Sequence, residues 1–319
     1  MDTENNTLGT LLGAVKYFAD VETSIAFVAA LRWPDGVWCL RCGVYECYRL
    51  STRPLWKCRA CKKQFSVKVG SIFEDSPIGL DKWLPALWML VNCKNGVSSY
   101  EIARDLGITQ KSAWFMLHRL RLAVQYKTFE KICGRVEIDE TYIGGKARNM
   151  HKDKRARVIN GTGGMGKVAV MGLLDRNSQE KHSTVRVSVV PNVRKRGLHA
   201  RVREHVEPGS AVYTDALKSY DGLGSNYVHQ VINHAEAYVE GQIHTNGMEN
   251  FWSLLKRALK GTYVSVEPFH LFRYLDEQAY RFNNRKMIDA ERFLGAAASV
   301  FGKRLTFNAL TGKELPETC

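Results

Sequence analysis

Two CxxC pairs, CLRC at 39–42 and CRAC at 58–61, stand with fifteen residues between them. Four cysteines at that spacing predict a zinc ribbon, with Cys39, Cys42, Cys58 and Cys61 as thiolate ligands around one tetrahedral Zn²⁺. All four positions are then protein thiolates. No open position remains for water or substrate, so the zinc is structural. Reduced or disulfide-bonded cysteines are the weaker reading, since the opening MDTENN is acidic and polar and unlike a signal peptide. Cys47 lies inside the ribbon but outside either knuckle and is left unliganded, and Cys93, Cys133 and Cys319 have no motif around them.

The ribbon is basic. From Arg49 to Lys68 there are seven Lys or Arg (Arg49, Arg53, Lys57, Arg59, Lys62, Lys63 and Lys68) and no acid, with Trp56 and Phe65 interleaved. Either this is a solvated face over a very small core, or it contacts phosphate; the absence of acids favours phosphate, with Lys62 and Lys63 as DNA contacts. The whole chain points the same way. Its 319 residues carry a formal net charge of +14 and a pI near 9.4, which suits a polyanion, nucleic acid first. A membrane surface is the rival partner, but the apolar stretch Trp83–Cys93 is too short to cross a bilayer and has Lys82 at its edge. The expected compartment is the cytoplasm.

After the ribbon the pattern turns helical. Leu80–Val91 reads as a short apolar helix, followed by SSYEIARDLGITQKSAWFMLHRLRLAV at 98–124. Ser98 or Ser99 can cap a helix running to about Leu106, Gly107 breaks it, and Thr109 can cap the next. Helix, short glycine turn and helix is the helix-turn-helix pattern; the alternative is an ordinary helical hairpin joining two domains. The second helix, Gln110 to about Lys127, carries Lys111, Arg119, Arg121 and Lys127 and no acid. Laid in a major groove, it would present Gln110, Lys111 and Ser112 near its N-terminus as contacting residues, with Arg119 and Arg121 also read as DNA-binding, while Trp114, Leu117 and Leu120 pack inward.

From about Cys133 the period changes to that of strands. GRVEIDETYI (134–143), GKVAVMGLLD (166–175), STVRVSVVP (183–191) and SAVYTD (210–215) read as strands, with a helix from Arg196 to about His205 and later helices near 247–260 and 267–284. This order suits a ribonuclease H-like α/β domain, a mixed sheet with flanking helices. The chain divides as an N-terminal helix and zinc ribbon (1–76), a helix-turn-helix domain (77–130) and the ribonuclease H-like domain (131–319). Asp139 alternates with Val136 and Ile138 and shares a polar face with Glu137, which could border a cleft. Asp215 directly follows an apolar strand, where ligand sites in open sheets gather. Glu249 opens the last-but-one helix. Hard divalent cations want oxygen ligands, and polynucleotide chemistry on two metals needs carboxylates converging from separate elements. A structural alternative is open for Glu249: with Asn246 it matches a capping box. One decoy is set aside. GTGGMGKV (161–168) has Val168 where a phosphate-binding loop needs Ser or Thr, and it leads into a strand; it ends a basic run, Lys146 to Lys167, with seven Lys or Arg against one Asp.

VEIDETYIGGK (136–146), VYTDALKSY (212–220), HTNGMENFWSLLKRALKGTY (244–263) and YRFNNR (280–285) resemble bacterial insertion-sequence transposases of the DDE superfamily, the group with an N-terminal zinc ribbon. The resemblance runs from the ribbon to about residue 290. It implies binding to the terminal inverted repeats of the encoding element, cleavage at its 3′ ends and joining to target DNA. It implies a homodimer or higher oligomer on double-stranded DNA, a nucleoid location, and two Mg²⁺ (or Mn²⁺) ions held by Asp139, Asp215 and Glu249. The family allows Asn or Glu at the third position, so Asn246 stands second and Lys256, seven residues after Glu249 on the same helix face, contacts DNA with Arg257. A DNA-binding regulator without catalysis and a catalytically retired transposase are the alternatives. The role of Leu294–Cys319, with FGKRLTF (301–307) as strand or tail, is open.

Overall fold

Capping residues decide where the first helices begin. The computed structural model of the chain describes residues 7–125, 130–145, 151–153, 166–176, 182–232 and 244–313. Thr10 Oγ1 accepts the Gly13 N–H at 3.1 Å to start α1 (Leu11–Phe18), and Asp20 Oδ2 accepts the Thr23 N–H at 2.8 Å to start α2 (Val21–Arg32). The ribbon follows as a three-stranded antiparallel sheet of β1 (Cys47–Arg49), β2 (Trp56–Cys58) and β3 (Gln64–Phe65). Its apolar content is small: Trp33 packs edge-on to Trp56 and Phe65 with centroids 5.2 and 6.0 Å apart.

α3 (Leu80–Asn92) is buried continuously from Trp83 to Val91. Ahead of α4 (Ser99–Leu106), Ser98 and Glu101 form a complete capping box, and Gly107 closes the helix in the left-handed conformation at φ 61°. Thr109 then caps α5 (Gln110–Ala123) through the Ser112 N–H at 3.2 Å. α5 ends at Ala123; Lys127, the basic run from 146 apart from residues 151–153, 166 and 167, most of GTGGMGKV and Cys319 lie outside the described residues.

A second compact unit, Tyr126–Asn283, is built on five strands: β4 (Arg135–Ile143), β5 (Val168–Asp175), β6 (Thr184–Val190), β7 (Ala211–Asp215) and β8 (Val228–Ile232). α6 (Lys195–His205) lies between β6 and β7 in the chain. The spatial order is β6-β5-β4-β7-β8, with β4–β5 and β5–β6 antiparallel and β4–β7 and β7–β8 parallel. This is the mixed sheet with flanking helices of the ribonuclease H-like fold expected from the strand order; β8 is an element that the strand patterns did not predict.

The strand period explains both layers. Val136 and Ile138 on β4 and Ala169, Met171 and Leu173 on β5 enter one core with Leu198 and Val202 of α6. The opposite face of β5, Val170 and Leu174, meets α7 (Asn246–Ala258), whose Met248, Phe251, Trp252 and Leu255 recur at helical spacing. Gly172 lies on that face between Val170 and Leu174. A Cβ there would overlap the Met248 methyl and come within 2.8 Å of the Trp252 ring, so glycine sets how closely α7 approaches the sheet. Gly172→Ala is expected to cost about 1–3 kcal/mol of overpacking and roughly 3–10 °C in thermal midpoint. An unchanged midpoint by near-UV circular dichroism would show that α7 does not lie this close.

α7 passes through a π-helical turn, Leu259–Tyr263, before α8 (Leu271–Asn283). Tyr263 and Arg281 both donate to the buried Glu277 carboxylate, tying the turn to α8. Asn283 covers the free edge of β6: its Oδ1 accepts the Val185 N–H at 2.7 Å and its Nδ2 donates to the Val185 carbonyl at 3.0 Å.

The chain from Asn284 on does not stay with this sheet. α9 (Asp289–Ala298) and α10 (Phe307–Thr311) cluster with residues up to Gln125 as one compact unit, so the stretch expected to form one domain over 131–319 is divided at Asn284. Aromatic packing accounts for this. Phe293 of α9 stacks on Phe27 at 5.9 Å and lies 5.7 Å from Phe18, and Arg32 is held over both Trp33 and Phe301. The segment 301–307 is neither a strand nor a tail. Phe301 makes a single bridge with Ser71, and Thr306 caps α10. Among the described residues no helix is long and apolar enough to cross a membrane.

Candidate active site

β4 carries Glu137 and Asp139 on the face turned toward α7. Its polar face was expected to border a cleft; α7 covers the Glu137 end, and the cleft opens at the Asp139 end. It measures about 410 Å³ and is lined by Asp139, Glu140 and Thr141 from β4 and by Glu249, Trp252, Ser253 and Lys256 from α7. Asp139 Oδ2 accepts the Trp252 indole N–H at 2.9 Å and Oδ1 accepts the Glu140 N–H at 2.8 Å. Asp215 ends β7, which runs parallel to β4. Glu137 is paired with Tyr213, so Asp139 and Asp215, each two residues further on, end level on adjacent strands. Asp215 Oδ1 accepts the Leu217 N–H at 3.1 Å, which fixes the turn after the strand.

Electrostatics tie these acids together. Burial pushes the Asp139 carboxyl up to about 6; the Glu140 N–H opposes this, and the Asp215 charge, with Glu249 behind it, adds to the rise. Glu140 is pushed up to about 8 by burial first, then by Asp139 and Asp215. Its Oε1 is buried with no hydrogen-bond partner among the described residues. Two carboxyls raised by burial and by neighbouring acids, with a buried oxygen left over, fit a hard divalent cation, which takes carboxylates and would reverse the repulsion.

Glu249 sits exposed in the first turn of α7, and Lys256, two turns on, faces the same cleft. Asn246 is the first residue of the helix, exposed, and outside the cleft lining. The capping box read from Asn246 and Glu249 is not formed. The N-cap is Thr245, and it makes no side-chain cap bond. Arg257 is exposed on the same helix.

In the ribbon, the four sulfurs of Cys39, Cys42, Cys58 and Cys61 all lie within 4.8 Å of one another, with Cys39–Cys61 and Cys42–Cys58 at 3.6 Å. Zn–S bonds of about 2.3 Å put tetrahedral sulfurs roughly 3.8 Å apart, so the cluster fits one zinc. Backbone N–H groups of Cys42 and Arg41 hold the Cys39 thiol down at about 6, and that of Cys61 lowers Cys58. Cys47 is pushed up to about 11 by burial and by its neighbouring sulfurs, and its sulfur is not part of the four-cysteine cluster.

The other basic residues divide. Lys62 and Lys63 are exposed, and Lys57, Arg59 and Lys62 line a shallow cleft with Tyr48. Arg49 is paired with Glu22, and Lys68 Nζ is committed to the Ser76 and Ile78 carbonyls. At the head of α5, Lys111 is exposed over the Phe307 ring, Gln110 donates to Ser99 Oγ at 2.8 Å, and Ser112 is held by the Thr109 cap. Arg119 and Arg121 are not on a DNA-facing surface. Both are buried, and Arg119 donates to the Glu74 carbonyl between the Trp83 and Phe115 rings. Glu140 and Trp252 join the site without having been expected there. Glu140 adjoins Asp139 in IDET, and Trp252 stands one helical turn after Glu249, which are the only signals that could have found them.

Comparison with known proteins gives matches over both parts. The model of the ISXO2-like transposase domain matches residues 131–283, close to the bounds of the second compact unit, and that of the transposase zinc-ribbon domain matches residues 22–64. An uncharacterized protein in transposable element ISH50 of Halobacterium salinarum is 27% identical over 263 residues, 77% of this chain and 85% of the relative. An uncharacterized transposase-like protein of Haemophilus influenzae is 41% identical over 100 residues, 31% of this chain and 80% of the relative.

Proposed function

The chain belongs to the insertion-sequence transposases with an N-terminal zinc ribbon, and from that premise we propose that it cuts the 3′ ends of its own element and joins them to target DNA. The observation that supports the reading is the cleft that joins Asp139 of β4 to Glu249 and Lys256 of α7, with the charge of Asp215, at the end of β7, felt at Asp139. Two Mg²⁺ or Mn²⁺ ions held by these three acids would supply the charge stabilisation that phosphoryl transfer needs. Glu249 rather than Asn246 is the third ligand, because Glu249 lines the cleft and its charge is felt at Asp139. Trp252 orients Asp139, and Lys256 and Arg257 hold the phosphate backbone beside the acids.

Water attacks phosphorus at the element end and the bond to the departing flank breaks, leaving a 3′-hydroxyl. That hydroxyl then attacks phosphorus in the target, and as the new phosphodiester forms the target's own P–O3′ bond breaks and leaves a target 3′-hydroxyl. Both nucleophiles come from outside the protein, so no covalent protein–DNA intermediate forms. The exposed ribbon cations Lys62 and Lys63 and the head of α5, Lys111 above all, bind terminal repeats mainly through phosphate. Holding two ends together requires at least a dimer on DNA.

Purified protein with Mg²⁺, duplexes from the ends of the encoding element and a plasmid target should give joined products. Tight binding with no cleavage in Mg²⁺ or Mn²⁺ would instead establish a DNA-binding regulator or a retired enzyme, and cleavage without joining a plain nuclease.

A further inference from the structure

α7 begins without a cap of its own, since Thr245 makes no side-chain cap bond. Its first-turn N–H groups still need acceptors. One is supplied from another element: Glu137 Oε2, on β4, accepts the Met248 N–H at 2.9 Å. The carboxylate is buried, at 1% exposure, and its other oxygen accepts from Arg176 Nε at 2.6 Å. Arg176 in turn donates to His244 Nδ1 at 2.8 Å and to the His244 carbonyl, and stacks over Tyr213 of β7 at 4.4 Å. Gly247 makes room for this arrangement, because a Cβ there would lie 2.9 Å from Glu137 Oε2.

The spacing of the contacts gives them a purpose. Glu137 and Asp139 are two residues apart on a strand, about 6.7 Å; Met248 and Trp252, which they hold, are four apart on a helix, about 6 Å. The two bonds form a matched clamp, and Glu249 lies between its two helix ends. We propose that Glu137 is a positioning residue for the acid site: capping α7 from β4, it sets where Glu249 stands relative to Asp139. The proposal rests on the reading of that site as one for divalent cations. Partners that orient a metal ligand are worth about 10–100-fold in metal affinity or activity.

The test is Mn²⁺ binding to the full-length, zinc-loaded protein without DNA, followed by electron paramagnetic resonance of the free ion, with near-UV circular dichroism to confirm folding. Glu137→Gln keeps the shape and removes the charge. It is expected to stay folded, bind end DNA as wild type does, and bind Mn²⁺ about 10–100-fold more weakly. A merely structural ion pair would lower the melting temperature and leave the Mn²⁺ affinity of the folded protein unchanged; that result overturns the proposal. Should Glu137→Gln fail to fold, Gly247→Ala, which displaces the same carboxylate, is expected to weaken Mn²⁺ in the same direction, and unchanged affinity there overturns it equally. No Mn²⁺ uptake by wild type overturns the cation-site reading and this proposal with it.

Discussion

Asp139→Asn and Asp215→Asn are each expected to abolish 3′-end cleavage and strand transfer while leaving the fold and end binding intact. A cation at a transferring phosphoryl group contributes several kcal/mol of transition-state stabilisation, and each 1.36 kcal/mol is tenfold in rate. The expected loss is therefore on the order of 10³-fold or more. Asparagine at 139 still offers the Trp252 indole an acceptor, so the helix stays docked and the loss reports charge rather than shape. The acid's own titration gives a second check. Its folded value, about 6, lies above the ordinary 3.8, so the cation-free fold holds an extra proton between them. The stability that proton contributes is present at low pH and lost as pH rises through about 6. Without divalent cations, then, wild type should gain more stability than Asp139→Asn on going from pH 8 to pH 5, and Mn²⁺ at pH 8 should raise the melting temperature of wild type only. Normal cleavage by folded Asp139→Asn would remove the assignment.

What the sequence made legible was local. Ser98, Gly107 and Thr109 act within a turn or two of themselves, and each ends or starts the helix it was expected to, Ser98 rather than its alternative Ser99. The four strands from 134 to 215 were readable because apolar runs are long or strictly alternating, whereas VHQVI at 228–232 is short and half polar. The misreadings are all long-range. Asn246 and Glu249 have the residue types of a capping box, but the acceptor for α7 comes from Glu137, 111 positions away. Arg119 looked like a solvent cation. Its guanidinium instead lies over two aromatic rings, which a count of charges along a helix cannot reveal. Asn284 onward follows the last ribonuclease H-like helix directly, and it is long-range contacts, such as those of Phe293 with Phe18 and Phe27 and of Phe301 with Arg32, that show where it belongs.

Removing zinc is expected to unfold the ribbon outright and to leave the five-stranded sheet standing. The ribbon's ladder is three short strands with five paired positions, and its buried aromatics are Trp33, Trp56 and Phe65. Against that, a structural zinc contributes about 10–16 kcal/mol of apparent binding free energy, which in such domains is the folding free energy. Chelation, or Cys58→Ser, should release one zinc per chain and quench the near-UV signal of Trp33 and Trp56. The midpoint of the ribonuclease H-like unit should not move, since it shares no ligand. Zinc binding releases thiol protons, and Cys39 is already held at about 6, so affinity should weaken most steeply as pH falls through and below that value. Function should follow structure here. With the ribbon unfolded, Lys57, Arg59 and Lys62 no longer share one surface, and the log–log salt slope of end binding should flatten by about 0.9 for each phosphate that is no longer neutralised. A chelated protein that kept both its near-UV spectrum and its salt slope would show that the thiol cluster does not build the ribbon and that the ribbon does not hold DNA.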